Sequence, residues 1–191
     1  MTDSTLSGKR VLLIVLTNQF RDEEVFAPKK ALEEAGAEVT VGASTARTCY
    51  GMNGGSIEAE VSFAELSPAP YDAVVIAGGS SAPHLFWKDK ALLSLVTAAS
   101  EAGKVIGASS LSTVVLAKAG RLAGKQATVY FLPEAIDELR AAGATYVTED
   151  VVVDGRVITA EGPAAVEAFS GAIARALTGT QTTATTAQPA N

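Results

Sequence analysis

The sequence is poor in the residues from which most catalytic and metal centres are built. Its 191 residues include one cysteine, Cys49, one histidine, His84, and one tryptophan, Trp87. A single thiol makes neither an internal disulfide nor a cysteine-rich zinc site, and the chain reads as cytoplasmic. A single histidine with no second His or Cys ligand nearby argues against a metal, and nothing in the sequence calls for a cofactor. Basic clusters are missing as well. Lys and Arg number 15 against 21 Asp and Glu, a net charge of −6, with no positive run to track a phosphate backbone, so nucleic acid is not an expected partner. The acidic balance serves solubility. Long apolar stretches are also absent. The apolar run at residues 11–16 falls far short of the ~20 residues a membrane-spanning helix needs. Residues 1–9 are polar and lack the apolar centre of a signal peptide, so neither a membrane nor a leader is expected.

What is present is an ordinary globular balance, 48% hydrophobic and 19% charged, in a length that suits one domain. The run at 11–16 (Val-Leu-Leu-Ile-Val-Leu) is continuous and rich in β-formers, as in a parallel strand covered on both faces. Helix formers follow at 23–35, closed by Gly36, and a second strand at 39–41 completes a βαβ unit. The alternation then recurs. Strands are predicted at 73–77, 105–108, 127–131 and from 145, and helices at 91–102, 112–119, 133–142 and 164–177. Residues 56–61 alternate like an edge strand. Asp154-Gly155 between two apolar runs predicts a C-terminal β-hairpin. The pattern specifies an α/β fold: a doubly wound, mostly parallel sheet with helices on both faces. The expected organisation is a flexible N-terminus over 1–9, one domain over 10–177, and a disordered Thr/Ala/Gln/Pro tail over 178–191.

Ligands of open α/β sheets bind beyond the carboxyl ends of the strands. Three such ends carry polar or small residues: 17–24, 78–81 and 109–112. The last has the strand–turn–helix layout of a nucleophile elbow, with Ser110 on the turn and the Leu111 N–H facing the same space. A helix start there would favour a developing anion. The serines read equally as caps of the following helix. Glu24 reads either as a catalytic carboxylate or as a first-turn acid complementing the helix dipole. Gly78-Gly79 could present a backbone donor, or form a plain turn, and it lacks the later glycine of a dinucleotide fingerprint. Phe20, Gly78, Ser80, His84 and Trp87 are candidate pocket residues, with core packing as the alternative for the aromatics and surface exposure for His84. Cys49 has nothing near it to depress its pKa and reads as inert.

Together these segments resemble the ThiJ/PfpI superfamily, which includes the DJ-one-like proteins. The resemblance runs over roughly 10–177. It is carried by Phe20-Arg-Asp-Glu-Glu-Val25 with Pro28, by Tyr71-Asp-Ala-Val-Val-Ile-Ala-Gly-Gly79, by Gly103-Lys-Val-Ile-Gly-Ala108 with Val115-Leu-Ala-Lys-Ala-Gly120, and by the Val151–Thr159 hairpin with Gly162-Pro163. It implies a flavodoxin-like, class I glutamine amidotransferase-like fold and a homodimer or higher homo-oligomer. Glu24 takes the family's glutamate position, Gly79 and Leu111 supply oxyanion donors, and Ser110 stands where the family has its nucleophilic cysteine. Relatives often have histidine at the next position, where this chain has Leu111.

The oxygen matters physically. A thiol with a pKa of ~8.5 ionises readily, whereas a serine hydroxyl needs an adjacent base, and a carboxylate is a weak one. Serine also cannot follow the cysteine oxidation ladder. The resemblance therefore implies hydratase, lyase or hydrolase chemistry on a small electrophilic carbonyl metabolite, assisted by Glu24, with protease activity disfavoured. Two other readings stand beside it. One is a non-catalytic ligand-binding or stress-related member. The other is an engineered serine form of a cysteine-dependent hydratase, glyoxalase or deglycase.

Overall fold

The computed structural model describes residues 5–179. The first strand, β1 (Arg10–Ile14), leads through the short β2 (Asn18–Phe20) into α1 (Asp22–Glu34), and β3 (Glu38–Ala43) follows. Next come β4 (Thr48–Gly51), β5 (Ser56–Glu58), β6 (Val61–Ser62) and β7 (Ala73–Ile76), then α2 (Ala82–Leu85) and α3 (Lys90–Glu101). After β8 (Val105–Ser109), a 3₁₀ turn at Ser110–Ser112 opens α4 (Thr113–Lys118). The chain closes with β9 (Gln126–Ala127), α5 (Pro133–Ala141), β10 (Thr145–Tyr146), the hairpin β11 (Val151–Asp154) and β12 (Val157–Ala160), and α6 (Val166–Thr178).

The central sheet has the order β11-β12-β8-β7-β1-β3-β6. Every pairing in it is parallel except β11 with β12. The apolar runs lie where strands must be covered on both faces: β7 and β8 are buried along their whole length, and in β1 only Arg10 reaches solvent. Helices α1 and α6 pack on each other, and α6 lies on β8 and β12; α3 and α4 pack together and also reach β8. The doubly wound α/β class read from the sequence is the class observed.

The differences have local causes. The strand predicted at 127–131 is only Gln126–Ala127, paired with β10 in a separate parallel ribbon. The free edge of β12 is taken by β11, so Tyr130 and Phe131 have no strand to join and stand exposed. The edge strand predicted at 56–61 is divided between β5, which pairs with β4, and β6, which closes the main sheet. The hairpin turn is Gly155-Arg156, one residue later than Asp154-Gly155, because Asp154 pairs with Val157. Gly155 alone of the two turn residues has a positive φ (64°), the requirement of a type II′ turn. The predicted helix at 112–119 begins as the 3₁₀ turn and has only six α-helical residues.

At the N-terminal end, Leu6 is completely buried and donates its N–H to Ala35 O at 2.8 Å, so the anchored chain starts before Arg10. At the other end Thr178 is the last residue of α6 and Gly179 caps it with φ 77°. The rest of the expected tail, 180–191, and residues 1–4 lie outside the described residues.

Candidate active site

Strand register brings the site together. Ile14 pairs with Ile76, and Ile76 with Ala108. Gly78 and Ser110 thus both lie two residues past paired positions on neighbouring strands. On the other side of β8, Ala160 pairs with Ser109, which carries Gly162 up beside Ser110. The core order β3-β1-β7-β8-β12 reverses direction at β1, the switch point where α/β sheets open a crevice.

Ser110 is the strained residue of this group. Its φ is 55°, a left-handed conformation that costs a non-glycine residue roughly 1–2 kcal/mol. Its surface is 7% exposed. The capping alternative for the three serines does not hold, because none of them makes a side-chain cap bond. Ser112 Oγ donates to Ala77 O at 2.8 Å and ties the turn to the end of β7. Ser109 Oγ donates to Glu24 Oε2 in a very short hydrogen bond.

Glu24 projects from the first turn of α1 into this space and is 1% exposed. Its Oε2 also accepts the Gly78 N–H at 3.0 Å. Its Oε1 is buried and makes no hydrogen bond of ordinary geometry, although the Ser110 hydroxyl lies close enough to favour the carboxylate. Burial dominates and pushes the carboxyl above its ordinary 4.5; Ser109, Ser110, the Gly78 N–H and the Arg21 charge each pull the other way. Gly78 is obligatory, since a Cβ there would collide with Glu24 Oε2 and the Ser110 Cβ. So is Gly79, where a Cβ would strike the backbone of Gln19 and Phe20, the segment it bridges.

A pocket of about 190 Å³ opens on this group, lined by the backbone or side chains of Arg21, Glu24, Gly79, Ser80, Ser110 and Leu111. Met52, Tyr130 and Pro163 form the rest of its wall. Drug-sized ligands occupy roughly 300–1,000 Å³, so this one suits a ligand of few heavy atoms. Among the described residues, the Gly79 and Leu111 N–H groups have no protein acceptor. Also among the described residues, no three of His, Cys, Asp and Glu stand together as a metal site would require.

Residues 9–176 match the DJ-1/PfpI family. The chain belongs to that family. It is 41% identical over 172 residues to an uncharacterized protein of Methanocaldococcus jannaschii, spanning 90% of this chain and 84% of that one. It is 30% identical over 158 residues to a deglycase of Pyrococcus horikoshii, spanning 83% and 93%. The ThiJ/PfpI domain protein of Brachyspira murdochii superposes with a TM-score of 0.85 at 28% identity, over 90% of this chain and 99% of that one. For Drosophila melanogaster DJ-1beta the TM-score is 0.79 at 28% identity, over 90% and 91%.

Within this DJ-1/PfpI fold the predicted site residues divide. Glu24, Ser110, Gly79, Leu111 and Ser80 share the pocket. Four expected pocket residues do not line it. Phe20 is buried in the core, edge-on to Phe26. Gly78 lies behind the pocket wall, holding Glu24. Trp87 is buried and donates from Nε1 to Leu111 O at 2.8 Å, bracing the elbow from behind. His84 is exposed on the four-residue α2. Sequence reasoning missed Arg21, Met52, Tyr130 and Pro163. Arg21 had a signal, its place three residues before Glu24; Met52 had the glycines around it, and Tyr130 had none.

Proposed function

We propose that this DJ-1/PfpI protein is an enzyme for a small electrophilic carbonyl compound, working by proton transfer, hydration or lyase chemistry through Glu24. The observation that carries this reading is a buried carboxyl with one unpartnered oxygen, placed in a small pocket beside Ser110 and two free backbone donors. The substrate carbonyl oxygen would sit before the Gly79 and Leu111 N–H groups, which stabilise negative charge as it develops there. Glu24 takes a proton, from the carbon beside the carbonyl or from an attacking water. It returns that proton to the oxygen or to a neighbouring carbon, leaving an isomerised or hydrated product. A group that both takes and gives a proton works best when its pKa lies near the working pH, and burial moves Glu24 in that direction. Ser110 donates a hydrogen bond or acts as a weak nucleophile, since its hydroxyl has no base near it stronger than Glu24. That relatives of this chain are named deglycases supports carbonyl chemistry. A homodimer or larger homo-oligomer in the cytoplasm is part of the proposal and rests on the family.

The test is an assay of the unaltered chain, Glu24→Gln and Ser110→Cys against dicarbonyls, isonitriles and activated esters. Activity in the unaltered chain should fall by about 10²–10⁴-fold in Glu24→Gln, the usual reach of one acid–base group. Activity that appears only in Ser110→Cys would overturn the reading and mark the serine form as silent.

A further inference from the structure

We propose that the pocket selects a carbonyl compound that also carries a carboxylate, a small 2-oxo acid, with Arg21 as the carboxylate-binding residue. The inference rests on the reading of this pocket as a carbonyl site and adds its substrate class.

Arg21 is the one cationic residue in the pocket wall. It is also firmly placed. Its backbone N–H donates to Gly78 O at 2.9 Å, and its carbonyl accepts the Glu24 N–H at 3.0 Å, so it joins the glycine loop to the catalytic helix. Its side chain is held from one side. Nε lies 3.1 Å from Glu23 Oε2 as an ion pair but is buried and makes no hydrogen bond, and Glu23 is in turn held by Asn53 Nδ2 at 3.2 Å from the β4–β5 turn. Among the described residues no protein acceptor meets the two Nη groups. A guanidinium has five donors in a rigid fork that matches a carboxylate edge to edge, and here the free end of the fork belongs to a residue of the pocket wall.

Two acids could oppose an incoming anion. Glu23 pairs at Nε only and is 46% exposed, so solvent screens it. Glu24 is buried, and its Oε2 is taken by the Ser109 hydroxyl and the Gly78 N–H, two donors that offset its charge. The pocket volume of about 190 Å³ disfavours larger phosphorylated compounds. A short 2-oxo acid uses both polar features at once: its carboxylate on Arg21 and its carbonyl oxygen before the Gly79 and Leu111 N–H groups.

The full chain provides its own reporter, because its only tryptophan, Trp87, is bonded to the Leu111 carbonyl at the pocket wall. Pyruvate, methyl pyruvate and acetate are titrated by calorimetry and tryptophan fluorescence. Pyruvate should bind at least about tenfold more tightly than methyl pyruvate, which keeps the carbonyl but loses the charge, and more tightly than acetate, which lacks the carbonyl. Arg21→Gln should erase the preference over methyl pyruvate, and Arg21→Lys should restore part of it. Equal binding of pyruvate and its ester, no binding of pyruvate, or an unchanged preference in folded Arg21→Gln overturns the proposal. The ester comparison decides even if Arg21→Gln does not fold. Neutral carbonyl compounds turned over by the unaltered chain, with pyruvate bound no better than its ester, would sink this inference and leave the carbonyl enzyme standing. Pyruvate bound through Arg21, with no carbonyl compound turned over, would do the reverse.

Discussion

Glu24 carries a burden that a surface carboxylate does not. It is buried, one of its oxygens lacks an ordinary partner, and burial raises its pKa from 4.5 against four smaller opposing effects. The folded protein therefore holds this proton more tightly than the unfolded chain does. The stabilising contribution is complete below the unfolded pKa and is lost as pH rises through the folded one. The loss amounts to about 1.4 kcal/mol for each pH unit between the two values. Glu24→Gln cannot titrate, so denaturant unfolding from about pH 4 to about pH 8 should show it gaining on the unaltered chain as pH rises. A stability difference that stays constant across that range would show that burial does not govern this carboxyl. Ser110 adds strain at the same place, since its φ of 55° is held by the strands on either side. Strain of this kind persists where surrounding structure over-determines it, often at functional sites.

At the scale of elements, the pocket wall depends on a clamp between α1 and the β4–β5 turn. Asp22 Oδ2 accepts the Asn53 N–H at 2.9 Å, and Oδ1 accepts the Gly55 N–H at 2.7 Å. A Cβ at either Gly51 or Gly55 would collide with that carboxylate, so the glycines let the turn close onto the helix. The clamp sets Met52 over the pocket, its N–H bonded to Phe20 O at 2.9 Å. Asp22→Ala should cost about 1–3 kcal/mol, the loss of two charge-assisted bonds offset by solvent access. Hydrogen exchange at 51–55 should quicken while the central strands keep their protection; unchanged exchange at 51–55 would show that the turn holds without Asp22. This clamp also marks where the sequence stops being legible. The strands at 11–16, 73–77 and 105–108 are readable because a strand covered on both faces must be apolar throughout, and Gly78-Gly79 marks the loop after the second of them. In the region 45–70 the one regular signal is the alternation at 56–61, and that stretch is divided between two strands. The region's strands are two to four residues long and are set by pairing with distant partners, so Gly51, Gly54 and Gly55 announce turns but not what the turns hold. Trp87 was misplaced for a related reason. An aromatic near a loop reads the same whether it lines the pocket or braces it from behind.

Across the whole molecule, the sheet and its helices decide how far the elbow can shift. Gly107 lies on β8, three residues before Ser110, and faces α6: a Cβ there would come within 3.1 Å of Phe169 Cζ and 3.4 Å of Ile173 Cδ1. Helix α6 also packs on α1, the helix that carries Glu24. One close approach thus links the strand below Ser110 to the helix below Glu24. Interiors at crystal-like density do not absorb an added methyl without movement, and overpacking of this kind costs about 1–3 kcal/mol. Gly107→Ala should therefore destabilise the protein by that amount, although Ala suits a strand better than Gly does in the absence of contacts. If the cost arises from the Phe169 ring, trimming that ring should relieve it. Phe169→Leu alone removes buried surface and is destabilising, but combined with Gly107→Ala it should cost less than the two single changes added together. A double-mutant cycle by denaturant unfolding measures the difference, and a coupling of about 0.5–3 kcal/mol is expected for residues in contact. Strict additivity would mean that β8 shifts away from α6 instead. Such a shift would carry Ser110 away from Glu24 and remove one of the effects that lower its pKa, so in that case Gly107→Ala should steepen the pH dependence of stability that Glu24 gives the unaltered chain, whereas with the coupling expected here that dependence should stay as it is.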